Sequence, residues 1–130
     1  MLTAAVPFLL HALTELIASS TFLLSPSSHI PSPSSQATLV SHLLGGALIH
    51  SALTGLIFAF RDVWDDTARR VALAFGLWHL FPCYRAVARI RTGMGGKPQP
   101  EPERSTLGGP VLHLGVHGGL LVLFIWSAAQ

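Results

Sequence analysis

Apolar residues in this chain come in long, nearly unbroken runs, and four of these runs are each about long enough to cross a bilayer as a helix. They extend from about residues 2–24, 37–60, 71–89 and 107–129. The second and fourth contain no Asp, Glu, Lys or Arg. The third has fourteen uncharged residues, Val71 to Tyr84, and spans fully if Arg85 snorkels to the headgroups beside Arg89 and Arg91. The first carries His11 and Glu15; a signal peptide would instead need a basic start and an uninterrupted apolar core. The pattern predicts an all-α fold, a four-helix transmembrane up-and-down bundle, with residues 1–130 as one integral membrane domain. Pro82, inside the third run, predicts a break or bend there.

The connectors differ in character. Residues 25–36 are dense in Pro and Ser, which predicts an extended, poorly ordered loop. Residues 61–70 read as a tight charged turn, with Asp66 or Thr67 capping the third helix. Residues 91–106 mix Gly, Pro and alternating charge and read as flexible. Four crossings put both termini and the 61–70 turn on one side with Arg61, Arg69 and Arg70. Arg85, Arg89, Arg91, Lys97 and Arg104 fall on the other. Five basic residues against three place the 91–106 loop in the cytosol.

Composition agrees with this reading. Half of the 130 residues are hydrophobic, 11% are charged, and the mean hydropathy is +0.53; a soluble bundle would need a charged outer face that the sequence lacks. The net charge of +2 comes with no basic cluster interleaved with aromatics, so no nucleic-acid partner is expected. The lone Cys83 excludes an internal disulfide.

Against this apolar background, six of the seven histidines and Glu15 lie inside the four runs. Ionisable groups at such depth are costly and usually face a bundle interior or a partner. At about 100° per residue, His42 and His50 share one face of the second helix. A small-residue stripe, Ala47, Ser51, Gly55 and Ala59, is centred nearly opposite. In the fourth helix His113 and His117 are one turn apart, with Gly115 and Gly119 nearly opposite. Both small-residue faces are expected to pack against neighbouring helices, since close backbone approach drives association in lipid. His79 shares its face with Ala72, Gly76, Cys83 and Ala86. His11 and Glu15, four apart, are within contact on the first helix.

Depth sharpens the candidate set. Glu15, His50, His79 and His117 come out at a similar level near mid-membrane and are the candidate catalytic residues. His11, His42 and His113 are candidate substrate-binding residues. A carboxylate paired with imidazoles in a low-dielectric site suits acid–base chemistry; Glu15 is expected within direct or one-water reach of His50, His79 or His117. The expected ligand is a lipophilic small molecule entering from the bilayer, undergoing proton transfer, isomerisation or cyclisation. No phosphate-binding Gly-rich loop is present and no cofactor is expected. No HExxH or CxxCH motif assigns a metal ligand, although imidazoles converging on one point would serve haem or a metal ion. The rival from another class is a non-catalytic membrane subunit or scaffold, with a homo-oligomer as one form of it.

The runs HLLGGALIHSALTGLIFAFR (42–61), RRVALAFGLWHLFPCYRAVARIR (69–91) and GGPVLHLGVHGGLLVLFIW (108–126) resemble small four-helix membrane proteins of the DoxX-like group, as seen in fungal members of unknown role. The resemblance covers most of the chain and rests on helix count, the Gly-rich second helix ending in Arg61, and the His-bearing fourth helix. It implies a compact up-and-down bundle with a place in specialised metabolism, and supplies no catalytic residues. The long Pro and Ser loop departs from that pattern. A multi-pass protein of the endoplasmic reticulum or another endomembrane is the expected setting.

Overall fold

In hydrocarbon every backbone amide and carbonyl must find its partner inside the protein, which leaves a chain of apolar runs little choice but helix. In a computed structural model, which describes residues 2–30, 32–92 and 109–130, the four runs form α1 (Leu2–Leu24), α2 (Ser35–Ala59), α3 (Asp66–Arg91) and α4 (Gly109–Ala128). All four are long and apolar enough to cross a membrane, the profile of a multi-pass membrane protein. Their outward faces carry large apolar side chains, among them Leu13, Ile57, Phe81 and Val122.

Local chemistry sets the ends. Ser34 caps α2, its hydroxyl accepting from the Ala37 amide at 3.1 Å. The cap of α3 is Asp65 rather than Asp66 or Thr67. Its carboxylate accepts from the Ala68 amide at 2.9 Å and from Arg61 Nη2 at 2.7 Å, and α3 therefore starts five residues before the apolar run does. The expected break at Pro82 does not occur: α3 continues through it, as α1 does through Pro7. The Pro and Ser connector is not extended throughout. Pro26–Ser28 form a 3-10 turn, and His29 stacks on Phe22 with ring centroids 4.1 Å apart while its Nε2 pairs with Thr21 Oγ1 at 2.7 Å. Most of the 91–106 connector, and residues 107–108 of the fourth run, lie outside the described residues.

The helices associate as two close antiparallel pairs, α1 with α2 and α3 with α4, joined chiefly through α1 and α4. Ser127 Oγ donates to the Ala4 carbonyl at 3.0 Å and Arg69 Nη2 to the Gln130 carbonyl at 3.1 Å, so the starts of α1 and α3 and the end of α4 share one end of the bundle. Small residues close the α1/α2 seam. A Cβ on Gly45 would come 2.7 Å from Leu23 Cγ, and one on Gly55 would come 3.2 Å from His11 Cδ2 and 3.3 Å from the Phe8 carbonyl oxygen. Two hydroxyls fasten the same seam, Ser19 Oγ to the Gly45 carbonyl at 2.8 Å and Ser41 Oγ to the Phe22 carbonyl at 3.0 Å.

The two small-residue stripes meet different fates. On α2, Ser51 and Gly55 are buried and Ala59 packs on the core, while Ala47 is exposed because the seam runs through Ser41, Gly45 and Leu48 instead. On α4, Gly115 and Gly119 are exposed with open space beside them. The expectation that both stripes would pack within one molecule is therefore corrected for α4. That helix turns its opposite face, with His117, Leu120 and Phe124, to the interior.

Near the end that holds the starts of α1 and α3, aromatic rings fill the core. Phe8 is fully buried, stacked on Phe58 at 5.8 Å and edge-on to Trp64, Phe75 and Phe124 at 6.0, 5.6 and 5.0 Å. Such offset and edge-to-face pairs suit the ring quadrupoles. They form an apolar floor beneath the polar groups.

Candidate functional site

Just beyond that floor, polar side chains from all four helices meet in one connected cluster. His11 of α1 sits at its hub, with Nε2 2.9 Å from Ser51 Oγ on α2 and Nδ1 3.1 Å from Nε2 of His79 on α3. The other nitrogen of His79, Nδ1, is 2.8 Å from Nδ1 of His117 on α4. One turn along α1, Glu15 places Oε1 3.7 Å from His11 Nδ1 and accepts a hydrogen bond from the Trp78 indole at 3.1 Å. His11 and His79 are fully buried, and Glu15 and His117 are 2% and 7% exposed.

Rings lie against both central imidazoles. Phe75 is 4.4 Å from His11 between centroids, and Phe124 stacks on His79 at 5.8 Å. On the far side the ring of His113 lies 4.4 Å from that of His117, so imidazoles continue along α4 toward the end that carries Arg85 and Arg89. Trp78 is 37% exposed, so its side chain reaches from the lipid-facing surface to the buried carboxylate.

The tautomers are linked. A neutral imidazole carries one N–H and one acceptor nitrogen, so the chain Ser51, His11, His79, His117 has two consistent orders. In one, Ser51 donates to His11, His11 Nδ1 to His79, and His79 Nδ1 to His117. In the other, every donor and acceptor is exchanged. Moving a proton from one end of the chain to the other converts the first order into the second. The arrangement can therefore pass a proton among all four helices without moving a heavy atom far.

Of the candidate catalytic residues, Glu15, His79 and His117 are brought together. Ligand atoms of Glu15, His11 and His79 all lie within 4.8 Å of one another, which puts Glu15 within one-water reach of His79. His50 does not join them. It lies exposed on the outer side of α2, although the next residue, Ser51, reaches the cluster. Among the candidate substrate-binding residues His11 is the hub, His113 adjoins His117, and His42 is exposed on the same outer face as His50. The physical reason lies in α2 itself, whose close neighbour is α1. It buries the small-residue seam, and the histidines on the opposite side are turned outward.

Two members of the cluster were not among the sequence candidates, Ser51 and Trp78. On the sequence Ser51 reads as part of the small-residue stripe. Trp78 precedes His79 and so lies about 100° round the helix from it, where an amphipathic indole at a buried carboxylate is the available signal.

Two titrating groups outside the membrane-spanning segments are perturbed. Burial holds the His29 imidazole below its ordinary range, and Arg85 acts in the same direction. The Ala68 amide hydrogen bond and the Arg61 guanidinium hold the Asp65 carboxyl below the usual carboxylate range.

Comparison with protein families, with curated proteins and with solved structures gives no match. The arrangement is that of a helical bundle of four membrane-length helices with a buried His/Glu cluster.

Proposed function

We propose that this protein acts on a lipophilic small molecule at its His/Glu cluster, moving protons on it in an isomerisation or cyclisation within an endomembrane. The observation that carries the reading is the carboxylate of Glu15, buried at the centre of the bundle yet joined to the lipid-facing surface by Trp78 and to the imidazole chain through His11. A molecule arriving laterally from the bilayer would meet Trp78 first and Glu15 behind it. The chain of imidazoles would then supply or remove a proton from the other side. Phe75 and Phe124 offer apolar contact to the rest of such a ligand.

The test is proton transfer itself. Protein in lipid nanodiscs, incubated in D2O with a lipophilic extract of its source cells, should place solvent deuterium into one class of product seen by high-resolution mass spectrometry. Glu15→Gln should abolish the label with helical content unchanged. An unlabelled extract with the wild-type protein, or equal labelling with Glu15→Gln, overturns the reading.

A separate observation favours the second reading, a non-catalytic membrane subunit. His42 and His50 on α2 and Gly115 and Gly119 on α4 are exposed where lipid would otherwise surround them. Polar groups and open glycines at a helix surface are what a partner helix covers, a second copy included. In that case the wild-type protein should leave the extract unlabelled, and Gly115→Leu should disrupt the assembly seen by cross-linking in the membrane.

A further inference from the structure

We propose that His11 Nδ1, His79 Nε2 and one carboxylate oxygen of Glu15 form a binding site for a single divalent transition-metal ion of the zinc or ferrous class. The inference deepens the reading of this cluster as the reacting centre, and rests on it only for what the ion would do.

The distances suit such an ion. Ligands at about 2.0–2.1 Å from a tetrahedral zinc ion stand roughly 3.3 Å from one another. His11 Nδ1 is 3.1 Å from His79 Nε2 and 3.7 Å from Glu15 Oε1, and all three donors lie within 4.8 Å of one another. The remaining gap closes by rotation of the Glu15 side chain, the most flexible of the three.

Independently of distance, the far side of each ligand is also suited to a bound ion. Metal-bound imidazoles nearly always donate their other N–H to an acceptor that fixes the ring, and ligating carboxylates are themselves hydrogen-bonded. All three have such a partner. With Nδ1 of His11 on the ion, its Nε2–H donates to Ser51 Oγ at 2.9 Å. With Nε2 of His79 on the ion, its Nδ1–H donates to Nδ1 of His117 at 2.8 Å. Glu15 accepts the Trp78 indole N–H at 3.1 Å. In this state both central rings donate outward, an order that neither metal-free arrangement of the chain provides.

The donor set selects the ion class. Two imidazoles and one carboxylate, without a thiolate, suit zinc or ferrous iron and leave a coordination position for water or a substrate oxygen. The carboxylate also offsets part of the ion's charge in an apolar interior, where an unpartnered charge is costly. His117, Ser51 and Trp78 would orient the ligands and touch no metal.

The experiment uses the full chain without a histidine tag, stripped of metal and titrated with Co2+ and Zn2+ in detergent. The expected result is one equivalent of Co2+ giving a visible d–d band, displaced by Zn2+. It should come with a shift of the His11 and His79 15N signals to the outward-donating tautomers. His11→Ala or Glu15→Gln should weaken binding at least a hundredfold. Ser51→Ala should weaken it about tenfold, as removal of an orienting partner does. The His42→Ala/His50→Ala variant, which lacks the two exposed imidazoles, should bind as wild type. Absence of the band in the wild-type protein overturns the proposal whatever the variants do. So does a band that survives His11→Ala/His79→Ala with helicity intact, or one lost with His42 and His50. Because the readout is binding, metal held without deuterium labelling leaves this site standing and removes the acid–base reading. Labelling by the metal-free protein, with no Co2+ band on titration, does the reverse.

Discussion

His11 has both ring nitrogens engaged, one by Ser51 and one by His79, and a residue held that way tolerates little change around it. Ser51→Ala leaves His11 Nε2 without its partner in an apolar interior, which should cost about 1–3 kcal/mol. Thermal unfolding in detergent reads this as a lowered midpoint, whereas an unchanged midpoint would mean that His11 finds another partner. Glu15 separates structure from chemistry. Glu15→Gln keeps an acceptor for Trp78 and should preserve stability. Glu15→Leu removes a buried polar group but orphans the indole N–H, so its midpoint should move little, the two effects opposing each other. Outside the membrane, Asp65 provides a pH signal whose sign is set by its lowered folded pKa. Its contribution is complete above the ordinary carboxylate range and is lost as the pH falls through the folded value. Stability measured on acidification should therefore fall more steeply in wild type than in Asp65→Asn, and parallel profiles would remove the ionic part of this cap. His29 acts at higher pH with the same sign. Its folded pKa is also lowered, so docking of its loop weakens as the pH drops below the ordinary imidazole range.

At the scale of the element, α2 and α4 carry the same sequence device, a histidine face opposite a small-residue face, and use it in opposite ways. On α2 Ser41, Gly45, Ser51 and Gly55 pack and the histidines face out. On α4 the histidines face in and the glycines face out. Helical arithmetic showed that the two faces of each helix oppose each other, but it could not say which one a neighbour would cover. The neighbour decides. α1 brings Phe8, Leu23 and His11 against α2, and the space left beside them admits hydrogen atoms where a Cβ would collide. Gly55→Leu should accordingly separate α1 from α2 at His11 and cost about 1–3 kcal/mol as an overpacked seam. His50→Leu on the outer face should be neutral or stabilising. Denaturation in mixed micelles would rank the two, and a reversed order would mean that α2 is rotated about its axis relative to the arrangement described here. The same competition explains the ends of α3. A cap built from Asp65 and Arg61 starts that helix in a polar segment that the apolar run alone leaves out.

For the whole molecule, even crossing brings the starts of α1 and α3 and the end of α4 to one end, where Arg69 and Ser127 tie them together. Single cysteines introduced at Asp62 and Gln130 in a Cys83→Ala background should react with an impermeant thiol reagent from the same side of sealed vesicles, and one at Ser27 from the other. Labelling of Asp62→Cys and Ser27→Cys from one side would break the four-crossing arrangement. The sequence by itself determined the number of helices, their approximate spans, their all-α class and the position of each ionisable group along its helix, because length and hydropathy act along one dimension and lipid leaves the backbone few alternatives. It also determined that Glu15 and His11 share a face, a matter of four-residue spacing within one helix. Which imidazoles meet was decided only in the tertiary structure. His79 and His117 reach His11 while His50, at a comparable depth, does not, because rotation of a helix about its axis is set by the shapes of its neighbours. A difference of one residue, from His50 to Ser51, turns a side chain by about 100° and carries it from the outer face of α2 into the cluster.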